Sequence, residues 1–145
     1  MALTGLAVGW RIRSSVLEAV GGFLVLLVFA YAVSWLMAMV GLLVRTPEVV
    51  NNASFIVVFP LTFVANTFVP LETFPSVLRT FAEWNPVSAV VQAARDLFGN
   101  TIPGAPVPDA WPLQHPVVYT LLWTVVILAV FVPLAVRAYL RTSTR

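Results

Sequence analysis

Three stretches of this chain carry no charged residue: 26 residues between Glu18 and Arg45, 23 between Glu48 and Glu72, and 27 between Asp109 and Arg137. A helix rises about 1.5 Å per residue, so about 20 apolar residues cross the hydrocarbon core of a bilayer. Each stretch is long enough. The chain is read as an all-α integral membrane protein with three transmembrane helices. A soluble domain of 145 residues could not stay dispersed with 10% charged residues and a mean hydropathy of +0.94.

The polar residues exclude several chemistries. All eight basic residues are arginine. Without lysine there is no P-loop to reach nucleotide phosphates and no Schiff-base chemistry. Without cysteine there are no disulfides, thiolate nucleophiles or thiolate-bound metals, and the redox compartment is left open. His115 is the sole histidine, too few for a histidine metal cluster. The net charge of +2 comes from scattered arginines, not from a nucleic-acid-binding patch. No carboxylate pair, triad or glycine-rich loop points to catalysis, and neither a cofactor nor a metal is expected.

The segments follow in order. Residues 1–10, MALTGLAVGW, lack the basic start of a signal peptide and are too short to span. They read as the last turns of a helix that begins upstream. The first span covers 19–44, with Gly21 and Gly22 allowing close helix approach and Tyr31, Ser34 and Trp35 as its few polar-capable side chains. Pro47 is expected to end it, with Asn51 or Asn52 capping the next helix. The second span covers 52–69, and Pro60 near its middle is expected to kink it. Asn66 and Thr67 should face protein or water.

Residues 68–87, FVPLETFPSVLRTFAEWNPV, carry three prolines and the charges of Glu72, Arg79 and Glu83. Phe74, Val77, Leu78, Phe81 and Trp84 recur at helical spacing, and Pro75 suits the first turn. Asn85-Pro86 then breaks the helix. A second periodic run from Val87 to Phe98 is stopped by Gly99 and Asn100. Each run is about three turns, half a bilayer crossing. The pair at 74–98 must lie flat at the interface or re-enter one leaflet. The link 101–116 has five prolines and belongs in water, with Trp111 and Tyr119 fitting an interfacial aromatic belt and His115 a loop residue. The third span covers 117–136. The tail 137–145 has three arginines and no acid, which favours a cytoplasmic tail and an external short-helix pair. Cysteines at Ser76 and Ser88 should then react from outside.

The run FPLTFVANTFVPLETFPSVLRTFAEWNPVSAVVQAARDLFGN resembles the C-terminal signature region of ABC-2 type exporter permeases, within them the daunorubicin/doxorubicin-resistance permease group. VGWR near the start and YAVSWLMAMVGLLVR in the first span resemble the segment preceding that signature. The resemblance implies a six-span permease of which this chain is the C-terminal half. Its three spans would be the fourth to sixth, with the short helices re-entering the outer leaflet from outside. It also implies a second permease copy as homodimer partner, and an ATP-binding cassette subunit that binds ATP-Mg. The N-terminal half would be supplied separately if the permease is split.

By the same resemblance, Pro70, Glu72, Pro75, Trp84, Asn85 and Pro86 shape the re-entrant region, and Arg95 pairs with a carboxylate, Glu72 or Asp96. All of these can equally serve only to fold an external cap. Trp35, Phe59, Phe63 and Trp123 are candidates for a substrate path, against the plainer role of packing. Arg45, Thr46, Pro47 and Glu48 form a link that either faces the ATPase or is a solvated turn. The implied function is a permease component, not itself an enzyme, for efflux of hydrophobic drugs. Polysaccharide or lipid-linked cargo is the alternative within the family, and a non-transporting membrane fragment or scaffold the alternative outside it.

Overall fold

A computed structural model describes residues 2–44, 46–65, 73–101 and 109–143. Its elements are all helices: α1 (Ala2–Val8), α2 (Val16–Leu43), α3 (Pro47–Val64), α4 (Ser76–Glu83), α5 (Pro86–Leu97), α6 (Trp111–Gln114) and α7 (Pro116–Ser143). Among the described residues there is no strand. Two helices are long and apolar enough to cross a membrane, Val16–Leu43 and Pro116–Leu140.

Local chemistry sets the helix ends. Ser15 opens α2 with a capping box: its hydroxyl accepts from the Glu18 N–H, and Glu18 reaches back to the Ser15 N–H at 2.9 Å. Gly9, at φ +106°, closes α1, and the Trp10 N–H bonds the Gly5 carbonyl at 2.9 Å. That bond belongs to a Schellman stop, which favours glycine at its left-handed position.

Three boundaries differ from the sequence reading. Pro47 does not end a helix but begins α3, with Thr46 as the extended residue before it. A proline at the first helical position sacrifices an N–H that would be unpaired anyway. α3 therefore starts five residues earlier than 52, runs through Pro60, and ends at Val64 after 18 residues. At the other terminus, α7 does not stop at 136 but continues to Ser143, so most of the tail is helical. Nothing between Arg137 and Ser143 breaks a helix, and Pro133, a feature the sequence reading did not weigh, lies inside α7.

α2 and α7 pack most closely with each other, and α5 lies against both. Small and polar residues line the buried positions: Gly22 and Ala32 on α2; Thr120, Thr124, Ile127 and Ala135 on α7. Small side chains let helix backbones approach where lipid supplies no hydrophobic drive for association. α3 stands apart from this pair and touches α4 and α5. That separation leaves the gap in which the candidate site lies.

Candidate functional site

The gap is roofed by the elbow between α4 and α5. Phe81 and Trp84 come from the end of α4, and Asn85, Pro86 and Val87 from the start of α5. The turn is built by Asn85, which is 2% exposed and acts twice. Its side-chain oxygen accepts from the Val87 N–H at 2.9 Å, capping α5, while Pro86 fills the first helical position. Its amide nitrogen donates to the Leu61 carbonyl of α3 at 2.7 Å. One side chain thus starts a helix and ties the elbow to a neighbouring one.

The far end of α5 is fixed by packing. Gly99, at φ +66°, forms a Schellman stop, with Asn100 N–H bonded to Arg95 carbonyl at 2.8 Å and Gly99 N–H to Asp96 carbonyl at 3.1 Å. A Cβ on Gly99 would come within 3.0 Å of the backbone of Arg13 and Ser14. The loop before α2 is stitched to this corner by Arg13 N–H to Phe98 carbonyl at 3.0 Å and Ser14 hydroxyl to Leu97 carbonyl at 2.6 Å. The Phe98 ring sits over Gly22, with Trp10 edge-on at 5.5 Å and Phe23 at 5.1 Å between centroids.

Beneath the elbow lies a cavity of roughly 540 Å³. Its walls are Phe29, Val33, Leu36 and Met37 of α2, Val58, Leu61 and Thr62 of α3, and Trp123, Ile127 and Phe131 of α7. Phe29, seven residues into α2 from Gly22, lines it together with the elbow, about 10 Å deeper along the helix axis. The volume is in the range of sites for drug-sized molecules. The two polar side chains among its lining residues are already engaged: Thr62 hydroxyl donates to Val58 carbonyl at 2.8 Å, and Asn85 makes the two bonds above.

An aromatic cluster buttresses the elbow from α7. Tyr119, 8% exposed, donates its hydroxyl to the Trp84 carbonyl at 2.8 Å. Trp84, Trp111 and Trp123 contact its ring edge-on at 6.3, 6.0 and 6.4 Å. His115 is the cap residue after α6 and lies against Trp111.

Charges stay outside the cavity. Arg79 pairs with Glu83 one turn on at 2.8 Å and reaches Asp109 at 3.7 Å. Burial pushes the Asp96 carboxyl above its ordinary range, partly offset by the hydrogen bond from Gln92 and the charge of Arg95.

The residues singled out in the sequence scatter. Pro75 is the cap of α4, Trp84 the cap residue that ends it, and Asn85 and Pro86 open α5; these four build the elbow. Arg95 lies at the opposite end of α5 beside Asp96. Pro70, Glu72 and Arg45 lie outside the described residues, as do Asn66 and Thr67. Trp123 lines the cavity. Phe59 and Phe63 instead stack with Phe55 in an exposed stripe along α3, at 5.3 and 4.8 Å. Trp35 packs edge-on against Tyr31 at 6.3 Å. Thr46, Pro47 and Glu48 start α3, at the end of the molecule away from the elbow. Ser76 is exposed, but Ser88 is fully buried, so a thiol reagent would reach only the first of them. Its burial follows from the packing of α5 against α2 and α7, which its own helix periodicity does not reveal.

This all-helical arrangement is that of a membrane-embedded transporter component. The family model for ABC-2 type transporters matches residues 1–98, and the chain belongs to that family. It is 36% identical over 135 residues, 93% of its length, to the daunorubicin resistance ABC transporter permease protein DrrB1 of Streptomyces coeruleorubidus. The chain spans 44% of that relative's length. No solved structure matches it significantly.

Proposed function

We propose that this chain is the C-terminal portion of the permease of an ATP-driven ABC-2 exporter that moves hydrophobic drugs outward. The observation that carries the reading is the apolar, ring-walled cavity under the α4–α5 elbow. The name of the 36% identical relative supports a drug as cargo. A polysaccharide would need walls rich in free hydrogen-bonding groups, and this cavity has none among its described lining residues. On this reading α2, α3 and α7 are three spans. The elbow dips into the outer leaflet from outside, and the C-terminal end of α7 with its arginines is cytoplasmic. The link at Arg45 to Glu48 then faces the cytoplasm, where it can meet a cassette subunit. That subunit holds ATP-Mg and hydrolyses it; this chain binds no nucleotide and catalyses nothing. A second permease copy and the preceding permease half complete the machine.

Cells expressing the complete permease with its cassette ATPase should accumulate several-fold less anthracycline than cells carrying a hydrolysis-dead ATPase. Equal accumulation would sink drug export. Orientation is tested separately: in this cysteine-free sequence, Ser76→Cys should react with an impermeant thiol reagent added outside. Labelling only from the cytoplasm would reverse the topology.

A further inference from the structure

We propose that the cavity under the elbow takes an uncharged polycyclic aromatic ligand and rejects the same skeleton bearing a permanent positive charge. The proposal rests on the reading of the cavity as part of the cargo path, and it adds the chemical class the walls can accept. Rings come from three sides: Trp84 and Phe81 from the roof, Trp123 and Phe131 from α7, Phe29 from α2. They can hold a flat apolar molecule by dispersion and edge or face contacts. What they lack is a partner for charge. Neither polar lining residue has its main hydrogen bond to spare, since Thr62 is turned back on Val58 and Asn85 is spent on Val87 and Leu61.

The described acids on the surrounding helices are equally committed or distant. Glu83, next to Trp84, is held by Arg79 at 2.8 Å. Glu18 belongs to the capping box of α2, Glu48 to the first turn of α3, and Asp96 to the far end of α5 with Gln92. α7 contains no acid. A cation entering such a space loses its hydration and gains only the attraction of a ring face, which repays part of the loss. An amine-bearing cargo would therefore enter this cavity in its neutral form.

The test needs no transport. The chain is reconstituted in lipid nanodiscs, and binding of pyrene and of its trimethylammonium-methyl derivative is followed by probe fluorescence anisotropy, each corrected for partition into empty nanodiscs. Pyrene should bind saturably, and the charged derivative more weakly by roughly tenfold or more. Val33→Trp and Leu36→Trp, which fill the cavity, should each weaken pyrene binding, while Leu27→Trp on an exposed face of α2 should not. Equal binding of the two probes overturns the proposal. So does binding that survives both filling variants, or a co-purified phospholipid that pyrene does not displace. An exporter that pumps anthracyclines while this chain binds both probes alike keeps the proposed function and loses the inference. Selective binding without export does the reverse.

Discussion

At its C-terminal end α5 meets α2 by shape: Phe98 lies over a glycine, Gly99 passes within van der Waals distance of backbone, and the contact is built by what is missing from Gly22 and Gly99. At its N-terminal end α5 meets α3 by hydrogen bonding: Asn85 caps its own helix and holds the Leu61 carbonyl of another. The first kind of contact fails when atoms are added, the second when a donor is removed. The difference also tracks location. The shape-packed end lies beside the closely paired α2 and α7, whereas the hydrogen-bonded end borders the cavity, where no neighbouring side chain backs it up.

The largest effect is expected at Asn85. Asn85→Asp keeps the capping oxygen but replaces a donor with a carboxyl facing the Leu61 carbonyl, at a site 2% exposed. At neutral pH this should cost about 3 kcal/mol, from a buried group that must either stay charged or take up a proton. Burial raises the folded-state pKa of the introduced carboxyl above the ordinary aspartate value of about 3.9. The protonated form can donate to Leu61. Stability should therefore be nearest wild type below that value and fall as pH rises through the raised one. Unfolding in mixed micelles as a function of pH checks this, and a pH-independent loss would show that the Leu61 bond carries little.

Next in size, Gly22→Val should cost about 1–3 kcal/mol, because a Cβ there would lie 2.8 Å from the Phe98 ring and 3.2 Å from Leu97 Cβ. The adjacent Gly21 is its control. A Cβ there meets nothing within 4 Å, so Gly21→Ala should be neutral or stabilise α2 by a few tenths of a kcal/mol. Equal losses at the two glycines would break the distinction between the ends. The smallest effect belongs to Tyr119→Phe, which removes the hydroxyl bonded to Trp84 carbonyl but keeps the ring cluster. A loss of about 1 kcal/mol is expected, read in the same unfolding assay.

Much of this was legible along the chain, and the reason is local. Charge-free length identifies α2 and α7 because lipid admits no unpaired charge, and Gly99 with Asn100 marks the end of α5 because a Schellman stop needs a left-handed residue. Asn85-Pro86 marks the elbow for the same kind of reason, a cap followed by a proline. Pro47 misled because a proline signals both the end of one helix and the first position of another, and only the three residues 44–46 separate the two helices here.

Of the four aromatic residues read as a substrate path, the chain alone could not say which share a space. That depends on how helices rotate about their axes, and α2 is apolar on every side, so its pattern holds no preferred face. The sequence by itself determined that the chain lives in a membrane, that its helices break at Asn85 and Gly99, and that it has the residues of an ABC-2 permease. Tertiary structure alone decided that Asn85 reaches α3, that Phe98 rests on Gly22 and not on Gly21, and that Trp123 lines a cavity while Phe59 and Phe63 do not. Caps and charge limits act within a few residues of chain, whereas these contacts join positions 24 to 76 residues apart, for which no local rule sets the pairing.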